Sequence, residues 1–226
     1  YRKNKKGVIV RMIKENKIGR RDFLEKSAHM VAGAALLSGG GMLLSGCSQE
    51  ASAPQIEWPY PYTKLDPDRA AIKAYENCKA KQSCSYGVSA GTLGYLAEEA
   101  GYPFTLIPPD IIQGFKGGVP GHSSLCGAVI GAAVTIGLVT DIQTQDKLIN
   151  DLVSWYKEYE FPQFVPEGED AMVTTVCHSE LCLNSVDVWC KAAGIEPLAP
   201  EMHERCARLC ADVARYTIEK LNETLK

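Results

Sequence analysis

Apolar residues recur every three or four positions along much of the chain, the period of a helix packed on one side. The clearest case is Leu148, Leu152, Trp155 and Tyr159, a stripe read as core, with Asp141 placed to cap its helix. Elsewhere the pattern is set by punctuation. Asp66-Pro67 marks a helix start with proline at the first position, predicting a helix to about residue 82. A second helix is predicted over 84–100, stopped by Gly101. Pro108-Pro109 opens a short helix that ends at Gly117-Gly118, and further helices are predicted over 184–193 and 200–225. Residues 161–175 are broken by Pro162, Pro166 and Gly168, with room for one short strand at 172–176. The segment from Trp58 to Tyr62 reads as an extended aromatic arm laid on the domain. The fold class is mainly α. A single helical domain over 66–226 follows an N-terminal signal at 1–46 and a linker and arm at 47–65.

The stretch 117–137 carries the most information. Gly117, Gly118, Pro120 and Gly121 cannot continue a helix, so it begins as a loop. Ser123 or Ser124 stands where it can cap a helix running through Cys126 to about residue 139. Gly127 and Gly131, with Ala128, Ala132 and Ala133, give that helix a thin wall. Glycine inside a helix costs about 1 kcal/mol against alanine. Two of them one turn apart imply a packing reason, either a neighbouring backbone or a cofactor. Cys126 directly precedes the wall. It is either a small buried thiol in a tightly packed helix or the first candidate for chemistry.

The N-terminal segment bears on location. Residues 1–26 are basic and close on Gly19-Arg20-Arg21-Asp22-Phe23-Leu24, and a weakly hydrophobic run follows to Leu44. This is the layout of a secretory signal, and Arg20-Arg21 before Phe23-Leu24 resemble the twin-arginine class. The run holds several glycines and is too short and weak for a good transmembrane anchor. Leu44-Ser45-Gly46-Cys47 resembles a lipobox, which makes Cys47 a lipidation site and not a functional thiol. The expectation is export by the twin-arginine route, with a lipid anchor on the extracytoplasmic, periplasmic face of the membrane. Proteins with such signals typically fold before export, often because they acquire a cofactor first.

Charge narrows the partners. The chain has 24 Lys and Arg against 27 Asp and Glu. Residues 1–46 hold 10 of the basic and 3 of the acidic side chains, leaving 14 and 24 beyond, a net of −10. Such a surface disfavours nucleic acid or an anionic membrane surface as partner.

The cysteines then pose the main question. Setting Cys47 aside, eight of the nine remain, an even number that in an exported protein usually means disulfides. Folding in a reducing compartment argues instead for thiolates that hold a metal. Cys177-His178-Ser179-Glu180-Leu181-Cys182 leads into a helix, where backbone N–H groups favour thiolates. Cys206 and Cys210 lie one turn apart on one face of the last helix. No Cys-x-x-Cys pair is present, so neither a zinc ribbon nor a thioredoxin-like motif is indicated, and without Cys-x-x-Cys-His no c-type haem can be attached. Dispersed cysteines could converge on an iron–sulfur cluster or on zinc, and spacing does not choose between them. His122, in the glycine loop, and His203 read as surface histidines. No hydrolytic triad, paired carboxylate motif or phosphate loop stands out.

Five blocks in order carry a resemblance. They are Cys84-Ser85-Tyr86-Gly87-Val88, the Gly117-Gly118-Val119 loop, Leu125-Cys126-Gly127-Ala128 with Gly131, Leu181-Cys182 through Trp189-Cys190, and Arg205-Cys206 through Asp212-Val213-Ala214. Together they resemble the redox-active family with a C-G-A-x-x-G motif and scattered cysteines, and within it the split-Soret cytochrome c-like proteins. The resemblance implies a mostly helical redox protein, a homodimer, with thiolates grouped around an iron–sulfur cluster, the 2Fe-2S type being the form considered. The thiolates it points to are Cys126, Cys182, Cys190 and Cys206, with Cys84 the first substitute; Cys78, Cys177 and Cys210 fall outside the match. The haem motifs of the split-Soret branch are missing here, so multihaem electron transfer is not implied. The expected function is electron transfer with a redox partner protein at the cell envelope, without bond-making catalysis. The alternatives are a disulfide-stapled lipoprotein acting as a binding or scaffold subunit, and a zinc-holding structural module.

Overall fold

The chain divides into two units, Tyr1–Ala53 and Pro54–Lys226. The computed structural model describes residues 56–225, all in the second unit. The signal with Arg20 and Arg21, the lipidation candidate Cys47 and the start of the linker lie outside the described residues.

Seven α-helices and no β-strand form the described residues. Helix α1, Pro67–Lys81, begins where Asp66 accepts hydrogen bonds from the N–H groups of Asp68 and Arg69. Helices α2, Cys84–Ser89, and α3, Tyr95–Ala100, are two ends of one rod interrupted by a π-turn at Ala90–Gly94. Ser83 caps the rod and Gly101, at φ 70°, ends it. A 3-10 helix at Pro109–Phe115 leads into the glycine loop. Then come α4, Gly127–Val139; α5, Ile142–Glu158; α6, Cys182–Ala193; and α7, Pro200–Thr224.

The core forms where α1, the α2 rod and α4 pack against α7. Ala70, Ala71 and Ala74 of α1 and Ala207, Ala211 and Ala214 of α7 are fully buried, which brings backbones together. At Gly91 an added Cβ would stand 2.7 Å from the Ala70 carbonyl oxygen, so the π-turn can touch α1 only as glycine. Across the rod, the Thr92 and Thr135 hydroxyls share a hydrogen bond of 2.7 Å. The arm lies on this core as expected: Trp58 Nε1 donates to the Gly137 carbonyl at 2.7 Å, and Tyr62 donates to Asn222 Oδ1 at 2.8 Å.

Several expectations need correction. Neither Ser123 nor Ser124 caps α4; Cys126 occupies the cap position, without a side-chain bond. Ser124 instead donates to the Gly118 carbonyl at 2.7 Å and closes the loop. Helix α6 starts two residues early, at Cys182. No strand forms at 172–176, where the chain makes an isolated bridge between Phe161 and Thr175. On α5 the fully buried stripe is Leu148, Leu152 and Tyr156; Trp155 and Tyr159 are half-buried at its edge, where Trp155 stacks on Tyr216 with ring centroids 4.0 Å apart. The packing reason for Gly127 and Gly131 is a neighbouring backbone. A Cβ on Gly131 would lie 2.7 Å from the Ser85 carbonyl oxygen of α2.

Candidate thiol site

Cys78, Cys84, Cys126, Cys182 and Cys206 line one cavity of about 730 Å³. A short antiparallel bridge between Leu125 and Leu181 assembles its first half. Cys126 N donates to the Glu180 carbonyl at 2.9 Å, and Cys182 N donates to the Ser124 carbonyl at 2.7 Å. Each cysteine directly follows one of the paired leucines, so α4 and α6 begin side by side. The loop before Ser124 must be tight for this. Gly118 sits at φ 66°, and a Cβ there would come within 2.6 Å of the Ser124 backbone.

The second half comes from three other helices. Cys84 is the first residue of α2, and its sulfur fills the space opposite Gly127, 2.6 Å from where a Cβ would stand. Cys78 lies in the last turn of α1 and Cys206 on α7. Cys84, Cys126 and Cys182 therefore all sit at helix starts, where free N–H groups favour negative charge.

The electrostatics follow from this placement. The Cys84 thiol donates to Cys126, and this bond, against the opposing effect of burial, pulls the Cys126 thiol down to about 6; Tyr156, the Ala128 N–H and Arg205 act in the same direction. The same hydrogen bond, followed by burial, pushes Cys84 well up. Burial raises Cys182 to about 12 and Cys206 to about 11, each also facing the negative charge of Cys126. The unit thus favours a single thiolate, at Cys126, until something more positive enters.

Arg205 is the feature that the cysteines alone do not account for. It is 1% exposed, and its Nε and Nη2 have no hydrogen-bond partner. Burial opposes its charge, but the Cys206, Tyr156 and Cys126 groups outweigh burial and hold its pKa up. A guanidinium that always carries charge is thus aimed at the thiol cavity, facing the Cys126 and Cys206 sulfurs with two of its nitrogens still unbonded. Tyr156, fully buried, donates to Ser185 at 3.2 Å on the cavity wall.

The predicted thiols do not all meet. Cys126, Cys182, Cys206 and Cys84 share the cavity, whereas Cys190 does not line it and is buried beside Trp189 and Met202 in a separate apolar cluster. Cys177 donates to the Ser179 carbonyl at 2.9 Å. His122 is exposed, and His203 is exposed at the cavity rim. All eight described cysteines are free thiols. Among the described residues, no three or more His, Cys, Asp or Glu side chains converge closely enough for a single metal ion; the sulfurs surround a volume. Sequence reasoning assigned no role to Arg205 or Tyr156. The signal for Arg205 was present, since it shares the buried face of α7 with Met202, Leu209 and Asp212 at helical spacing.

A fold of this kind, with cysteines from five helices facing one cavity, is that of a redox family. The chain belongs to the family described as "Putative redox-active protein (C_GCAxxG_C_C)", whose profile matches residues 84–220. That name writes Gly-Cys-Ala, whereas residues 126–131 here run Cys-Gly-Ala-Val-Ile-Gly, with glycine at the position that touches Cys84. Among individual proteins, the chain is 31% identical to the split-Soret cytochrome c of Desulfovibrio desulfuricans (strain ATCC 27774 / DSM 6949 / MB) over 218 residues, 91% of this chain and 78% of the relative. A solved structure, "A novel iron centre in the split-Soret cytochrome c from Desulfovibrio desulfuricans ATCC 27774", aligns with a TM-score of 0.69 and 32% identity over 73% of this chain and 71% of that one.

Proposed function

We propose that this redox-family protein holds an iron–sulfur centre in the thiol cavity and carries electrons at the cell envelope, exported by the twin-arginine route and anchored through Cys47. The observation that carries the reading is Arg205. A buried guanidinium with two unbonded nitrogens beside several thiols favours more negative charge than the single Cys126 thiolate supplies, and iron bound by thiolates and sulfide would supply it. The donor set fits: soft sulfur ligands, three of them at helix starts, with no competing carboxylate on the cavity wall except Glu204. Cys84, Cys126, Cys182 and Cys206 would hold the centre, and the iron centre of the solved relative adds weight to an iron-based group. An iron–sulfur centre supplies reversible electron uptake when bound. This chain's own part is to supply thiolates, to set Arg205 and helix N–H groups against their charge, and to line the cavity with apolar Val186 and Leu209.

The second reading is a structural zinc on the same cysteines, which line the same cavity and which zinc would accept as ligands. Eight free thiols give the disulfide-stapled scaffold less support. Among the described residues no helix is long and apolar enough to cross a membrane; in this reading the attachment is the lipid on Cys47.

Iron and acid-labile sulfide analysis of protein purified without oxygen tests the centre. Comparable amounts of both support it. Protein free of iron, with oxidised thiols, sinks it in favour of the scaffold. For location, Cys47→Ala should release the protein from membranes, and Arg20→Lys with Arg21→Lys should leave it in the cytoplasm; unchanged fractionation would refute that half.

A further inference from the structure

Two thiols outside the four assigned to the centre face each other. Cys78 of α1 and Cys210 of α7 have their sulfurs 3.6 Å apart. They are 4% and 0% exposed. Their closeness is built in: at Gly87 an added Cβ would come 2.5 Å from the Cys78 Cβ, so glycine there lets the α2 rod settle against α1 at Cys78. Cys177 instead bonds a carbonyl, and Cys190 lies in its own apolar cluster.

We propose that Cys78 and Cys210 form a reversible dithiol–disulfide pair, a second redox site at the edge of the thiol cavity. The pair stands on its own geometry; only its coupling to the centre rests on the function proposed above. Bonding brings the sulfurs from 3.6 Å to about 2.05 Å. Cys78 lines the cavity and Cys210 does not, so Cys78 meets the oxidant first. The oxidant class is a small disulfide, R–S–S–R. Cys78 sulfur attacks one of its sulfurs, breaking that S–S bond and passing its proton to the leaving thiolate as RSH. Cys210 then attacks the Cys78 sulfur of the mixed disulfide, releasing a second RSH. Two protein thiols are oxidised, one external disulfide is reduced, and both protons leave with the released thiols. The other sulfur contact of Cys210 is the Cys84 carbonyl, at 3.6 Å. Oxidation would draw Cys210 away from an assigned ligand and so link the two redox sites.

The test treats the full chain with hydroxyethyl disulfide without oxygen, alkylates remaining thiols and maps peptides without reduction. The expected result is a Cys78–Cys210 linked peptide, released by dithiothreitol, with Cys177 and Cys190 alkylated. In Cys210→Ala, Cys78 should retain the hydroxyethylthiol adduct, since no second thiol resolves it. Recovery of both cysteines as free thiols after exhaustive oxidation, or linkage of either to another cysteine, would overturn the proposal. So would loss of iron from Cys210→Ala, which would make Cys210 a ligand. Iron assayed in the same samples separates the two readings. A linked pair in iron-free wild-type protein keeps the pair and sinks the centre, and an unreacted pair in iron-loaded protein does the reverse.

Discussion

Two buried arginines, one turn apart on α7, separate the two regions of this molecule. Arg208 is fully provided for: it donates to Glu204 at 2.9 Å and to the Asp170 carbonyl at 2.6 Å, with Glu169 at 3.5 Å. Arg205, on the same helix and as deeply buried, has two nitrogens without a partner. Arg208 ties the irregular segment after α5 to the helical core. Arg205 faces the thiols. The core region is complete within the described chain, with alanines and glycines interlocking backbones and its polar groups largely paired. The thiol region is not complete, because two donors of its buried arginine have no hydrogen-bond partner. Stability and function are therefore separable here, and substitutions should reveal it.

The largest effect should come from breaking the complete region. Gly91→Ala puts a Cβ 2.7 Å from the Ala70 carbonyl and 2.8 Å from the Ala74 nitrogen, backbone atoms that cannot swing away. It should destabilise by about 3 kcal/mol, read as a lowered urea midpoint, while iron per folded molecule stays unchanged. Iron lost in proportion beyond the unfolded fraction would show the regions to be one unit.

The arginines sharpen the comparison further. Arg208→Met should destabilise by about 1.5–3 kcal/mol, because it removes charge-assisted hydrogen bonds to Glu204 and the Asp170 carbonyl. Arg205→Met should cost less in iron-free protein, because two of its nitrogens bond nothing and what is lost is its attraction to the Cys126 and Cys206 sulfurs, while the iron-loaded protein loses its metal faster to a chelator. Equal destabilisation by both variants would contradict the reading of Arg205.

Cysteine variants divide in the same way. Cys126→Ala should abolish iron retention. Cys190→Ala should keep the iron and cost only about 1–2 kcal/mol of packing. Iron loss in Cys190→Ala would return that thiol to the ligand set implied by the family resemblance.

The smallest expected effect is on pH dependence. In iron-free protein the folded-state pKa of Cys126 lies at about 6, below its ordinary 9.0, chiefly through the bond from Cys84. A depressed pKa adds stability that is fully present above the unfolded value and is lost as pH falls through the folded one. Stability should thus decline from pH 9 to pH 6, with thiolate ultraviolet absorbance of one group per chain titrating near the lower end. Titration of that absorbance only above pH 8 would remove the Cys84–Cys126 pairing.

Much of the fold was legible in the sequence because its signals are local. Asp66-Pro67, Ser83 before Cys84, Gly101, Asp141 and Gly194 act on adjacent N–H groups or through positive φ, and helices start and stop there. The strand expected at 172–176 failed because a short run by itself supplies no partner strand, and among the described residues the segment makes only the isolated Phe161–Thr175 bridge. The cap of α4 was misread because Ser124 is engaged across the loop by Gly118, a contact that local pattern does not encode. The site was partly legible. Gly127 and Gly131 correctly flagged a close approach, but which sulfurs share a cavity depends on helix rotation and on the Leu125–Leu181 pairing, 56 positions apart in sequence. Cys190 matched the family blocks and yet points elsewhere, and Arg205 fell on an apolar face where its charge should have raised the question.

The central claim is that the buried charge of Arg205 and the thiols around it exist to hold an electron-carrying iron–sulfur centre. The most direct measurement is the visible absorption spectrum of wild-type protein, purified without oxygen, before and after dithionite. The account predicts a broad visible band that bleaches on reduction and returns on reoxidation. A spectrum without visible absorption in folded protein with intact thiols would contradict it.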